Sequence, residues 1–282
     1  MTSEFIETNG IRLHYLQWGE ARPPLIILHG NGHCGGVYQP LAEKLATDFR
    51  VLAVDLRGHG LSDKPDSYAW HELREDVLGV VEALDLRDGL LVGHSRGGGV
   101  SLLAAAKAPG RFRGVLAYEP SVPRLFTNPD RMLEVAARTE NRRSTFATRQ
   151  EMYDHFRDRG AFKGWREEYL RAYVRHGAIE LASGGVALAS PPHVEAQVYR
   201  ALIDRRAWDE NQGSPVPVRV IFGERGARLQ QDADPVAALR TMFHTVETQV
   251  LPDCTHSGPM EHPDSFEAAI RDFSAAVARP GA

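Results

Sequence analysis

Apolar residues are laid along this chain in short runs separated by longer amphipathic stretches. The runs are Leu25–Leu28, Val51–Leu56, Leu90–Val92, Val115–Tyr118, Val218–Phe222 and Thr248–Leu251. Several have no polar alternation, as expected of strands covered on both faces. Between them, apolar positions recur at helical spacing over Val37–Thr47, Trp70–Leu84, Gly97–Ala108, Pro235–Phe243 and Ser265–Val277. Strands alternating with helices predict an α/β protein with a doubly wound, mostly parallel sheet. Ahead of the first run, Phe5–Trp18 is divided by Asn9-Gly10, a pair suited to a tight hairpin turn.

The rhythm breaks between about Ser121 and Ser214. This stretch is rich in charge and has helical periodicity, with no clear buried strand. It reads as a helical insertion over residues 122–213, between two parts of one core, residues 1–121 and 214–282.

Composition narrows the classes. With 282 residues and 43% hydrophobic content, the chain can build one large core with an inserted unit. A formal net charge of −4 lacks the basic excess of a nucleic-acid binder. No apolar run approaches the ~20 residues needed to cross a bilayer. The opening MTSEFIETNG has neither a basic start nor a long apolar stretch, so no signal peptide is expected. Cys34 and Cys254 are too few for a disulfide framework and lack metal-ligand spacing. These features predict a soluble, cytoplasmic protein, with neither nucleic acid nor membrane as partner.

The most informative stretch is LLVGHSRGGGVSLLAAA, Leu90 to Ala106. A strand runs into Gly93-His94-Ser95-Arg96-Gly97 and then directly into a small-residue helix. Glycines two before and two after the serine allow a sharp turn that lifts Ser95 to the helix N-terminus. There the helix dipole and free amides favour developing negative charge. A plain tight turn is the alternative.

A serine hydroxyl needs a base to remove its proton. The chain has 12 histidines, so position must choose among them. LPDCTHSGPMEHP follows the last predicted strand, which puts His256 on a loop at the sheet's C-terminal edge, where Ser95 also lies. His262, beside Pro263, reads as a surface or capping residue. His94 reads as a packed neighbour of the site. In ILHGNGHCGG a strand ends at His29-Gly30, and the following backbone can turn its amides inward. The amide of Asn31, with that of Arg96, would form an oxyanion hole.

His29-Gly30, DLRGHGLSD (Asp55–Asp63), GHSRGG (Gly93–Gly98) and THSGPMEHP (Thr255–Pro263) together resemble the α/β-hydrolase superfamily in order and spacing. The resemblance implies that fold, serine-hydrolase chemistry and a helical cap in place of the insertion. Members with aspartate as nucleophile, such as haloalkane dehalogenases and epoxide hydrolases, use another mechanism, and Ser95 sets this chain apart from them.

The family's commonest pattern puts an aspartate after the strand that follows the cap, as Gly-x-x-Asp. Here it reads Gly223-Glu224-Arg225-Gly226, and a glycine cannot orient a histidine. Glu224 is one substitute. Asp232 and Asp234 lie further on, where an acid suits a helix N-cap. The other candidate is Glu119, at the end of the strand after the nucleophile helix. It stands 24 positions after Ser95, a separation similar to that of zearalenone lactonases and the mycophenolyl-CoA hydrolase type. The expected triad is therefore Ser95, His256 and Glu119, with no metal and no cofactor.

In the insertion, Trp165, Tyr169 and Tyr173 recur at four-residue spacing, as core packing or pocket lining. Arg142-Arg143 and Arg205-Arg206 read as solvated faces or as partners for an anionic substrate. The expected reaction is two-step acyl transfer on an ester, lactone or thioester. Carbon–carbon bond hydrolysis of a diketone and a non-catalytic binding role are the alternatives.

Overall fold

In the computed structural model, which describes residues 1–20, 23–123, 130–210, 213–226 and 236–278, a hairpin starts the sheet. Asn9 and Gly10 both take positive φ, 49° and 74°, between β1 (Thr2–Thr8) and β2 (Ile11–Trp18). Two positive values in a row are what a two-residue hairpin needs to match strand twist.

The remaining strands of the sheet are β3 (Pro24–Leu28), β4 (Arg50–Val54), β5 (Gly89–His94) and β6 (Phe112–Tyr118), then β10 (Val218–Gly223) and β11 (Val246–Leu251). Their order is β1-β2-β4-β3-β5-β6-β10-β11. Only the β1–β2 and β2–β4 pairs are antiparallel, so the doubly wound, mostly parallel sheet is as the run pattern predicts.

Each central strand feeds two cores. Leu25 and Ile27 of β3 pack with Leu41 and Leu45 of α1 (Gln39–Leu45) and with Phe266 and Ile270 of α10 (Pro263–Ala276). Ile26 and Leu28 pack on the other face with Val77 and Val80 of α2 (Trp70–Ala83) and Val100 of α3 (Arg96–Lys107). Burial on both faces is why these runs lack alternation; each such side chain contributes about 1.5–3 kcal/mol.

Two expectations need correction. The helix expected over Pro235–Phe243 is only a 3-10 turn, Leu239–Thr241, in its described part; Pro235 lies outside the described residues. The helical path stops at Phe243, which bridges to Ser214: Met242 O accepts from Ser214 N and Ser214 O accepts from His244 N, at 2.8 and 3.0 Å. The insertion is not purely helical either. Besides α4 (Asp130–Glu140), α5 (Arg149–Phe156), α6 (Glu167–His176), α7 (Pro192–Ala201) and α8 (Arg206–Asp209), it holds an antiparallel sheet. Its strands β7 (Thr145–Phe146), β8 (Ala178–Glu180) and β9 (Val186–Leu188) run in the order β7-β9-β8. Strands of two or three residues are too short to show a period. Trp165 precedes α6, and it is buried with Tyr169 and Tyr173 in the same core as β3.

The loop beyond β4 hangs on one buried carboxylate. Asp55 accepts from Gly35 N at 2.7 Å, from Leu61 N at 2.9 Å and from His14 Nδ1 at 2.8 Å. Burial pushes its pKa up, but the His14 bond and neighbouring charges outweigh it and hold the carboxyl below its ordinary value. A depressed folded pKa means stability that is present above the unfolded value, about 4, and lost as pH falls through the folded one. We expect the urea midpoint to fall on acidification below about pH 4, and the same acid limb to be shallower in Asp55→Asn. An unchanged limb in that variant would assign the acid sensitivity elsewhere.

Among the described residues, no helix is long and apolar enough to cross a membrane.

Candidate active site

β5 passes into α3 through Ser95, whose φ of 52° and ψ of −117° place it in a region that costs a non-glycine residue on the order of 1–3 kcal/mol. The surroundings enforce it. Ser95 N donates to Tyr118 O at 2.9 Å, and Ser95 O accepts from Gly99 N at 3.1 Å and Ser121 N at 2.8 Å. Gly97 lets the helix start press onto β3: a Cβ there would lie 2.0 Å from the Leu28 carbonyl oxygen. Ser95 is left half-buried at the N-terminus of α3, its Oγ 3.5 Å from Ser121 Oγ. Ser121 was not a candidate in the sequence; nothing in a lone Ser-Val-Pro marks it.

His256 lies between β11 and α9 (Gly258–Glu261), with its side chain half exposed. Its backbone carbonyl accepts from His94 Nε2 at 2.8 Å, and the two rings are 5.0 Å apart between centroids. His94 thus ties the His256 loop to the elbow. Burial, then the neighbouring His256 and His33, push the His94 pKa far down, so its ring is neutral. His262 is exposed and precedes α10 at its N-cap.

Glu119 directly follows β6 with φ of 45°. Its amide donates to Ile221 O at 2.8 Å, continuing the pairing with β10. The side chain is buried, Oε1 accepts from Gly223 N at 3.1 Å, and Oε2 is 3.6 Å from His256 Nδ1. That separation is an ion-pair distance, longer than a hydrogen bond. A Cβ built on Gly226 would fall 2.1 Å from Glu119 Oε1 and 3.0 Å from its Cδ. The glycine in the Gly-x-x-Asp position is therefore the space the Glu119 carboxylate fills.

The other acids stand elsewhere. Glu224 is exposed, and its Oε2 accepts from Asp253 N at 2.9 Å. Asp232 and Asp234 lie outside the described residues.

Asn31 and Arg96 border the elbow, and both reach α7 through their side chains. Asn31 Nδ2 donates to Glu195 O at 3.4 Å and Arg96 Nη1 to Val198 O at 3.1 Å. Arg96 Nη2 also donates to Tyr68 O at 2.5 Å, and its guanidinium faces the Trp70 ring at 5.5 Å. Burial, with Arg57 nearby, pushes its pKa down to about 9. An arginine usually marks the surface, so this burial could not be read from the sequence. His33, two residues after Asn31, is stacked on His94 at 5.7 Å and edge-on to Trp165 at 5.2 Å. Burial pushes its pKa down to about 3.

Of the paired arginines, Arg143 and Arg206 bond Glu151 and Asp204 on the exposed surface. Arg142 does not fit a solvated face: its Nη1 donates to the buried carboxylate of Glu195 at 3.2 Å. Cys34 and Cys254 are both free and buried.

A family model described as "Alpha/beta hydrolase family" matches residues 25–269. The 2-(acetamidomethylene)succinate hydrolase of Mesorhizobium japonicum is 36% identical over 118 residues, 42% of this chain and 42% of that protein. The match therefore spans less than half of that relative. The N-formylmaleamate deformylase of Pseudomonas putida is 27% identical over 287 residues, 95% of this chain and 94% of that one. A crystal structure of E-2-(acetamidomethylene)succinate hydrolase superposes with a TM-score of 0.83 at 25% identity, over 97% of this chain and 99% of the other.

Proposed function

The chain belongs to the α/β hydrolase family, and from that premise we propose that it is a serine hydrolase cleaving a carboxylic ester, lactone or thioester. Ser95 attacks the carbonyl while His256 takes its proton, and Glu119 orients the ring and balances its charge. The amides of Asn31 and Arg96 hold the oxyanion, and water then hydrolyses the acyl-enzyme with His256 as base. The scheme calls on no metal or organic cofactor. Residues 122–213 act as the cap of a core made from 1–121 and 214–282, with α7 tied through Asn31 to the loop after β3 and through Arg96 to the start of α3.

The observation that carries this reading is the buried Glu119 carboxylate beside the His256 ring, in the volume that Gly226 leaves open. At 3.6 Å the pair is one small movement short of a hydrogen bond, and a half-exposed imidazole can make it.

The test is a substrate panel of p-nitrophenyl esters, lactones, acyl thioesters and vinylogous diketones, with Ser95→Ala as the blank. The deformylase, matched over nearly its whole length, brings N-formyl amides into the same panel. Turnover of an oxygen or sulfur ester above the blank is expected. Turnover confined to diketones, or none on any compound, would overturn the assignment.

A further inference from the structure

A second chain of hydroxyl, imidazole and carboxylate lies at the β1–β2–β4 end of the sheet. On the β1–β2 ladder Ser3 pairs with Leu16 and Phe5 with His14, so Ser3 and His14 share a face two positions apart. Ser3 Oγ is 2.8 Å from His14 Nε2, and His14 Nδ1 is 2.8 Å from Asp55 Oδ2.

The polarity of this chain suits base catalysis. An ionised carboxylate can only accept, so Nδ1 carries a proton, and in the neutral ring that leaves Nε2 to accept from the Ser3 hydroxyl. Amides of Gly35 and Leu61 hold the carboxylate from its other sides. The His14–Asp55 pair also secures the loop beyond β4, but that role needs neither the exposed Ser3 nor the space beside it. The space is a cavity of about 180 Å³ whose lining includes Ser3, His14, Asp55, Gly36, Arg175 and His176. It opens to solvent and has room for a two- or three-carbon acyl group. Arg175, an exposed residue, adds a cation to the lining.

We propose that Ser3, His14 and Asp55 form a second acyl-accepting site, separate from Ser95, that takes a short acyl group from an activated ester. Ser3 Oγ bonds to the acyl carbon as the acyl–oxygen bond to the leaving group breaks. The hydroxyl proton passes to His14 Nε2 and from there to the departing phenolate. Water later releases the carboxylic acid by the reverse transfers.

The experiment uses the full chain with Ser95→Ala, so that its outcome is independent of the main site. The protein is treated with p-nitrophenyl acetate, quenched at intervals, digested and mapped by mass spectrometry. Acetylation of Ser3 is expected at least a hundred-fold faster than that of Thr2, its exposed neighbour on the same strand. It should vanish in Ser95→Ala/Ser3→Ala and fall by a similar factor in Ser95→Ala/His14→Gln. The Thr2 comparison stands even where the His14 variant fails to fold. Ser3 and Thr2 acetylated at similar rates, or no acetyl group on Ser3, would overturn the proposal.

Discussion

Replacing Ser95 by alanine is expected to lower kcat on the best ester by about a million-fold while leaving the fold intact. The size of the loss follows from the division of labour. In the proposed mechanism His256 then has no nucleophile to activate, and what survives is catalysis by the oxyanion amides and binding alone. Folding should survive because the elbow is held by its backbone: Ser95 N and O make three hydrogen bonds that alanine keeps. The positive φ is no worse for alanine than for serine, so the thermal midpoint should move little. Ser121 is the neighbour placed to interfere among the described residues, its hydroxyl 3.5 Å from that of Ser95. A fluorophosphonate separates the cases. Adduct on Ser95 in the parent chain, and on neither 95 nor 121 in the variant, is the expected pattern. A variant retaining a tenth of the parent activity would remove Ser95 from the mechanism.

How far the sequence went depends on whether the constraint is local. The elbow is legible because a glycine two residues either side of a serine is a local steric demand; a Cβ at Gly97 would lie 2.0 Å from the Leu28 carbonyl oxygen, which shows how strict it is. Five of the six runs are legible because burial on both faces removes alternation, whereas Thr248–Leu251 falls on the edge strand β11, where Val250 is exposed. Glu119 could be nominated because Gly226 removes the commoner acid, yet the reason for the glycine was hidden. It depends on the parallel register of β6 and β10, which sets Tyr118 opposite Ile221 and brings position 119 against the turn at 223–226. No local pattern encodes that pairing. The same holds for Arg96, whose side chain reads as surface and is buried under α7, and for Arg142, whose partner Glu195 is 53 positions away. The small sheet of the insertion escaped because its strands are two or three residues long.

Glu119→Gln is the sharper test of the relay, with an expected fall in kcat of about ten-thousand-fold. The amide can still fill the space and accept from Gly223 N, so the structure is preserved. What it cannot do is balance the positive ring that forms when His256 takes the serine proton, or fix the ring tautomer. Glu224→Gln should change kcat less than two-fold, since that carboxylate bonds Asp253 N on the exposed side. Gly226 adds a second handle. Gly226→Asp alone drives a Cβ to within 2.1 Å of Glu119 Oε1, so it should displace the carboxylate and lose most activity despite adding an acid. In Glu119→Gly/Gly226→Asp the obstruction is gone and an acid stands where the family commonly has one, so part of the lost kcat should return. Both acids aim at one volume, and that exclusion predicts opposite signs for the same aspartate in the two backgrounds. Normal turnover in Glu119→Gln alongside an inactive Glu224→Gln would place the acid on the other loop.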